Sequence, residues 1–228
     1  MKLLAVDTAT NSCGVAVVNG TATAVHAVRV SQETHSRHLL PMIDQALQTA
    51  GLTAGDMDGF VVTRGPGSFT GLRIGLSTIK GLIAAANKPV AAVSSLDALA
   101  GQFLGTPRPL IICALLDARK GEVYTCRYRL VDSVMEKLSD ERALSPREAV
   151  ADFNEPFVPV GPGAIAYRAI IKEVAGPNAV FVPAFQNNIR PEVVADLGQR
   201  RLEKGDSDDP DALTPAYIRQ PDAVINQQ

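Results

Sequence analysis

This sequence predicts an α/β protein made of two related halves, on three observations. Up to Leu99, short apolar runs and segments of helical periodicity follow one another as three strands, a helix, a strand, a helix, a strand and a helix. An apolar run ending in Asp, a polar turn and a second apolar run occur twice, as LLAVD-TATNS-CGVAVV at 3–18 (the second run being 13–18) and LIICALLD-ARKGE-VYTCRYRL at 110–130. A glycine-rich strand-to-helix junction, RGPGSFTGLRIG, stands at 64–75. The two halves share a pattern and not residues, as a loose duplication would leave them. A composition break at GTPRP, 105–109, divides the chain into an N-terminal half at 1–104 and a smaller C-terminal half at 105–228.

Each element has its own signal. Leu3–Asp7 and 13–18 are apolar runs, and Asn19-Gly20 marks a hairpin into a third strand at about Thr23–Val30. Leu39, Leu40, Ile43, Ala46 and Leu47 recur at helical spacing in a helix at about Thr34–Ala50, with Pro41 as a start or bend and Gly51 as the stop. GFVVTRG at 59–65 reads as a buried strand, the junction leads into a second helix at about Thr70–Ala86, and Asn87 and Pro89 end it. PVAAVS is the next strand, and Ser94 or Ser95 caps a helix through Leu99. The second half adds a SPREAVADF helix, the strand FVPVG, a helix at about Ala164–Val174, a helical stretch near Pro191–Lys204, a loop at 205–212 and an extended tail.

Bulk properties narrow the function. At 228 residues with 46% hydrophobic side chains the chain can bury a core. Its formal net charge of −2, with no run of Lys or Arg, excludes the basic footprint of a direct nucleic-acid binder, so any work on RNA would draw its phosphate contacts from elsewhere. Cys13, Cys113 and Cys126 fit neither a metal nor a disulfide spacing and read as small buried hydrophobes. The opening MKLLAVDT turns polar too soon for a signal peptide, and no stretch is long enough for a membrane helix, so the cytoplasm is the expected location.

Few residues suggest chemistry. The junction's glycines permit close backbone approach and its helix start attracts anions, so it reads either as a phosphate loop or as a packing element. It lacks the Lys-Ser/Thr of a Walker loop, and Gly71 and Gly75 share one helix face, which favours close packing of another helix. Asp7 and Asp117 each end a strand before a turn, where a carboxylate can orient a metal-bound water near a phosphate or merely cap its own turn. His35 and His38 are three apart, with only Glu33 nearby as a further ligand, which points to capping or solvent rather than metal. No nucleophile with a partnered base stands out.

LAVDTAT (4–10), HSRHLLPMID (35–44), RGPGSFTGLRIG (64–75), DARKGEVY (117–124) and PAYIRQ (215–220) together resemble the bacterial TsaB family, also called YeaZ, over nearly the whole chain. The resemblance implies an actin/Hsp70/sugar-kinase-like (ASKHA) fold. It implies a noncatalytic subunit that supports the catalytic TsaD subunit in forming N6-threonylcarbamoyladenosine (t6A) at position 37 of tRNAs reading codons that begin with A. The TsaE ATPase joins that assembly, tRNA is met through the complex, and a homodimer forms when the partner is absent. The family pairs through its first two helices in a four-helix bundle, which carries the interface onto Leu39, Met42, Ile43, Phe69, Gly71, Leu72, Arg73, Gly75 and Leu76. Of these, Leu39, Met42, Ile43, Leu72 and Leu76 are expected as an exposed apolar patch on the monomer. The catalytic subunit's HxxxH metal pair is replaced here by HxxH, so no metal is expected. GPGA at 161–164 is a faint echo of a nucleotide turn, so no cofactor is expected beyond weak nucleotide binding at a vestigial site marked by Asp7 and Asp117. The competing readings are a sugar-kinase-type phosphotransferase using those two carboxylates and a metallopeptidase using His35 and His38.

Overall fold

The structure, a computed structural model, describes residues 1–31, 33–132 and 134–219. It divides into two compact units: Met1–Ala98 with Ile189–Ala216, and Leu99–Asn188 with the chain from Tyr217. The division therefore falls a few residues before the GTPRP break, and the helical stretch near Pro191 belongs to the first unit.

The first unit holds a five-stranded sheet in the order β3-β2-β1-β4-β5, formed by β1 (Lys2–Asp7), β2 (Ser12–Asn19), β3 (Ala22–Val30), β4 (Gly59–Gly65) and β5 (Val90–Ser94). β1, β2 and β3 run as an antiparallel meander, while β4 and β5 join β1 in parallel. Successive side chains point to opposite faces. Leu4, Val6, Phe60 and Val62 pack with Leu39, Ile43, Leu76 and Ile79 from α1 (Leu39–Ala50) and α2 (Phe69–Ala86). The chain folds a 3₁₀ turn at His35–Arg37 before α1, so the helix expected from Thr34 begins later. Pro41 then sits in the first turn, where its missing N–H costs nothing. Gly51 closes α1 in the left-handed conformation, and Asn87 does the same for α2. β5 runs on into α3 (Ser95–Gly101), whose first N–H groups at Leu96 and Asp97 are capped by the Ser94 hydroxyl.

The second unit repeats the scheme. β6 (Leu110–Arg119), β7 (Glu122–Val131) and β8 (Val134–Lys137) form an antiparallel meander, and β10 (Val158–Val160) joins β6 in parallel. The order β8-β7-β6-β10 matches β3-β2-β1-β4, so the duplication is one of topology. β9 (Arg142–Leu144) adds to β7. Neither β8 nor β9 has an apolar run, and the sequence reading passes over both. α4 (Pro146–Val150), α5 (Pro162–Ala166) and α6 (Arg168–Ala175) follow, and the helix expected at 164–174 is thus two. Ala149, Val150, Ala164 and Ile171 pack with Ile111, Cys113 and Leu115 of β6.

α7 (Pro191–Leu202) packs along β1, β2, β4 and β5. Its neighbours, Gly14, Gly59 and Val61, have the opposite pleat parity to the residues beneath α1 and α2, so it covers the other face of the first sheet. Gly198 is required there, because a β-carbon would run into the Val61 side chain. Beyond α7, Asp208 bridges to Val90 on the β5 edge, and the Ala216 N–H donates to the Arg64 carbonyl. The expected tail lies outside the described residues from 220 on. No helix among the described residues is long and apolar enough to cross a membrane.

Candidate partner interface

The glycine junction is pressed against the turn after β1. Ser68 caps α2 by accepting the Gly71 N–H at 3.2 Å. The Ser68 N–H donates to the Ala9 carbonyl at 2.7 Å, and the Thr8 hydroxyl donates to the Gly71 carbonyl at 2.8 Å. A β-carbon on Gly67 would meet the Ala9 carbonyl, one on Gly71 the Thr8 carbonyl, and one on Gly75 the Thr8 hydroxyl. Close packing is thus the role of these glycines, but the body they admit is the 8–10 turn and not another helix. Nε2 of His35 bonds the Thr10 carbonyl at 2.7 Å, so the turn is tied to the 3₁₀ segment as well.

Of the residues expected as an exposed apolar patch, four are interior. Leu39 is 1% exposed, Ile43 3%, Leu72 0% and Leu76 3%. Leu39, Ile43 and Leu76 belong to the core that the two helices share with the sheet, and Leu72 is just as fully covered. Met42 is partly buried against the same core. Gly71 and Gly75 are buried beside Thr8.

What α1 and α2 leave to solvent is a groove of about 560 Å³, whose lining includes Ser36, Leu39, Leu40, Phe69, Arg73 and Ile74. Leu40 is 56% exposed and Phe69 38%, both large apolar side chains. The Arg73 guanidinium lies over the Phe69 ring, 3.9 Å from its centroid. Phe69 and Arg73 were expected here; Leu40 was not. Periodicity gave no sign of it, since Leu40 stands three residues before Ile43 and seven before Leu47, at the same helical spacing as the buried stripe.

Asp7 is fully buried. Its Oδ1 accepts from the Thr63 hydroxyl at 2.7 Å and the Ala9 N–H at 3.1 Å, while Oδ2 has no hydrogen-bond partner. Burial pushes its carboxyl up to about 6, against the opposing pull of those hydrogen bonds. Thr63 escaped the sequence reading, although a lone Thr inside GFVVTRG was the available sign. Asp117, in the second unit, is exposed. Its Oδ1 accepts from the Arg119 N–H at 2.9 Å and the Tyr167 hydroxyl at 3.2 Å. Both carboxylates therefore cap their own turns two residues on, the plainer of their two readings. His35 turns to Thr10, while His38 pairs with Glu33, which also meets Arg29. The two histidines do not converge, and among the described residues no three His, Cys, Asp or Glu side chains gather as metal ligands. The three cysteines are free and buried, as expected.

The family model described as "TsaD: tRNA N6-adenosine threonylcarbamoyltransferase" matches residues 28–227. The chain is similar to the tRNA threonylcarbamoyladenosine biosynthesis protein TsaB of Escherichia coli, at 34% identity over 82% of this chain and 84% of that protein. It is also similar to the protein of that name from Bacillus subtilis, at 28% identity over 96% of this chain and 94% of that one. Among solved structures, YeaZ from Pseudomonas aeruginosa superimposes with a TM-score of 0.81 at 28% identity, covering 95% of this chain and 99% of that one. The two units with matching strand order have the ASKHA fold. With these likenesses running almost end to end, the chain belongs to the TsaB (YeaZ) family of tRNA threonylcarbamoyladenosine biosynthesis proteins.

Proposed function

We infer that this chain is a noncatalytic subunit in t6A formation at tRNA position 37, one that pairs with the catalytic TsaD subunit and supports it. The observation that carries this reading is the groove between α1 and α2, where Leu40 and Phe69 stand in solvent beside a core that already holds its own apolar residues. Large exposed apolar side chains that line a groove mark an interaction surface. The catalytic chemistry falls to the partner, since His35, His38, Asp7 and Asp117 are each engaged in turn, cap or pair contacts. TsaE joins the pair, tRNA is met through the complex, and the same face makes a homodimer when TsaD is absent. The site of action is the cytoplasm.

The test is co-purification with TsaD from the same genome, combined with a t6A assay. Leu40→Glu and Phe69→Glu should each weaken pairing at least ten-fold and lower t6A formation in step. Their thermal midpoints should stay near that of the parent, because neither side chain is part of the core. Full modification by a pair that no longer associates would sink the scaffold role. Calorimetric detection of micromolar ATP binding, lost in Asp7→Asn, would favour a phosphotransferase instead.

A further inference from the structure

The elements that build the groove carry an uneven charge. Their permanent cations are Arg37 on the 3₁₀ turn and Arg73 and Lys80 on α2, whereas Asp44 is the single carboxylate on the 3₁₀ turn, α1 and α2 together. The chain as a whole is acidic, with a net charge of −2, so these three elements depart from the average in sign. Within the groove the contrast is sharper: Arg73 lines it, Arg37 follows the lining Ser36 by one residue, and none of the lining residues is a carboxylate. Arg73 is also seated, with its guanidinium stacked on the Phe69 ring, so a cation is presented directly above an exposed apolar anchor.

We propose that the groove is built for a surface of a different chain that offers an apolar ridge flanked by carboxylates, one of them placed against Arg73. This rests on the scaffold reading above and adds the chemistry of the partner's face. The apolar ridge covers Leu40 and Phe69 and supplies most of the affinity. The carboxylates supply steering and choice of partner, because complementary rim charge acts on association rate and salt dependence more than on final affinity. A second copy is the poorer occupant. From the same elements it offers one carboxylate, Asp44, against three cations, so self-pairing brings two cationic faces together.

Sedimentation equilibrium and surface-based kinetics at 50 and 500 mM NaCl distinguish the occupants, with TsaD from the same genome and this chain alone as the two samples. Exposed charges are largely screened at the higher salt. Pairing with TsaD should weaken roughly three- to ten-fold between the two salts, mostly through the association rate, while self-association should stay level or strengthen. Arg37→Glu combined with Arg73→Glu should weaken pairing with TsaD at 50 mM and have little effect at 500 mM. Arg73→Lys, which keeps the charge, should retain the salt response. Pairing with TsaD that is indifferent to salt, or self-association that weakens with salt more than the mixed pair does, would overturn the charge-selection proposal alone. Absence of any pairing between the parent chain and TsaD would overturn the scaffold reading and this proposal with it.

Discussion

Asp7 ends β1 with no solvent contact and one carboxylate oxygen without a partner. Its proton is held up to about pH 6, well above the 3.8 of a free aspartate. The folded state therefore binds this proton more tightly than the unfolded chain does. The resulting contribution to stability is full below about pH 4, declines as the pH rises to about 6, and is flat beyond that. At pH 7 the buried charge costs on the order of 3 kcal/mol. Asp7→Asn keeps an acceptor for Thr63 and Ala9 but cannot ionise. The difference in urea stability between variant and parent should favour the variant increasingly from pH 4 to pH 6 and then level off. A difference that shrinks over that range would mean the carboxylate is stabilised rather than strained. The Asp itself was legible in the sequence as a strand-end carboxylate. Its burial was not, because that depends on Thr63 arriving from a strand 56 positions away.

At the scale of elements, α2 shows that glycines in one helix serve different ends. Gly71 faces the Thr8 carbonyl with no room for a methyl group, whereas Gly81 has nothing within 4 Å of where a β-carbon would stand. Gly71→Ala should thus destabilise by about 2–3 kcal/mol through overpacking against backbone. Gly81→Ala should stabilise by about 0.5–1 kcal/mol by removing an entropic penalty in a helix interior. Thermal unfolding of the two variants checks both signs. Equal effects would show that the 8–10 turn does not press on α2. From periodicity alone, the stripes of α1 and α2 could be placed but not assigned to core or interface. Leu72 and Leu76 look no different in sequence from residues of an exposed seam, and only the sheet beneath them settles their side.

For the molecule as a whole, the return of α7 is the element with the widest consequence. β1, β2, β4 and β5 of the first sheet are buried on both faces, with Leu3, Ala5 and Val61 fully covered. Leu3 lies beside Gly59, over which α7 passes, and Val61 lies against Gly198 of α7 itself. A chain ending after Asn188 would leave that face bare. It should lose the cooperative unfolding of the first unit, bind a hydrophobic dye and be cleaved rapidly within β1–β5, whereas a protease-resistant fragment from that truncation would show that α7 is dispensable. A division of the chain at a composition break cannot foresee this, since the sequence records order along the chain and the unit is closed by a segment 90 residues beyond the first part.

By itself the sequence determined the α/β class, the run of strands and helices through Leu99, the doubled strand-Asp-turn-strand unit and the family. These follow from local periodicity, turn chemistry and motif spacing, all of which are written in neighbouring residues. Only the tertiary structure decided that the junction glycines admit the 8–10 turn, that Leu39, Ile43, Leu72 and Leu76 are interior, and that Leu40 and Phe69 are what the helices leave outside. It also decided that α7 closes the first unit. The physical reason is the same in each case: whether an apolar residue is core or surface is fixed by what packs over it, and here that cover comes from segments distant in sequence.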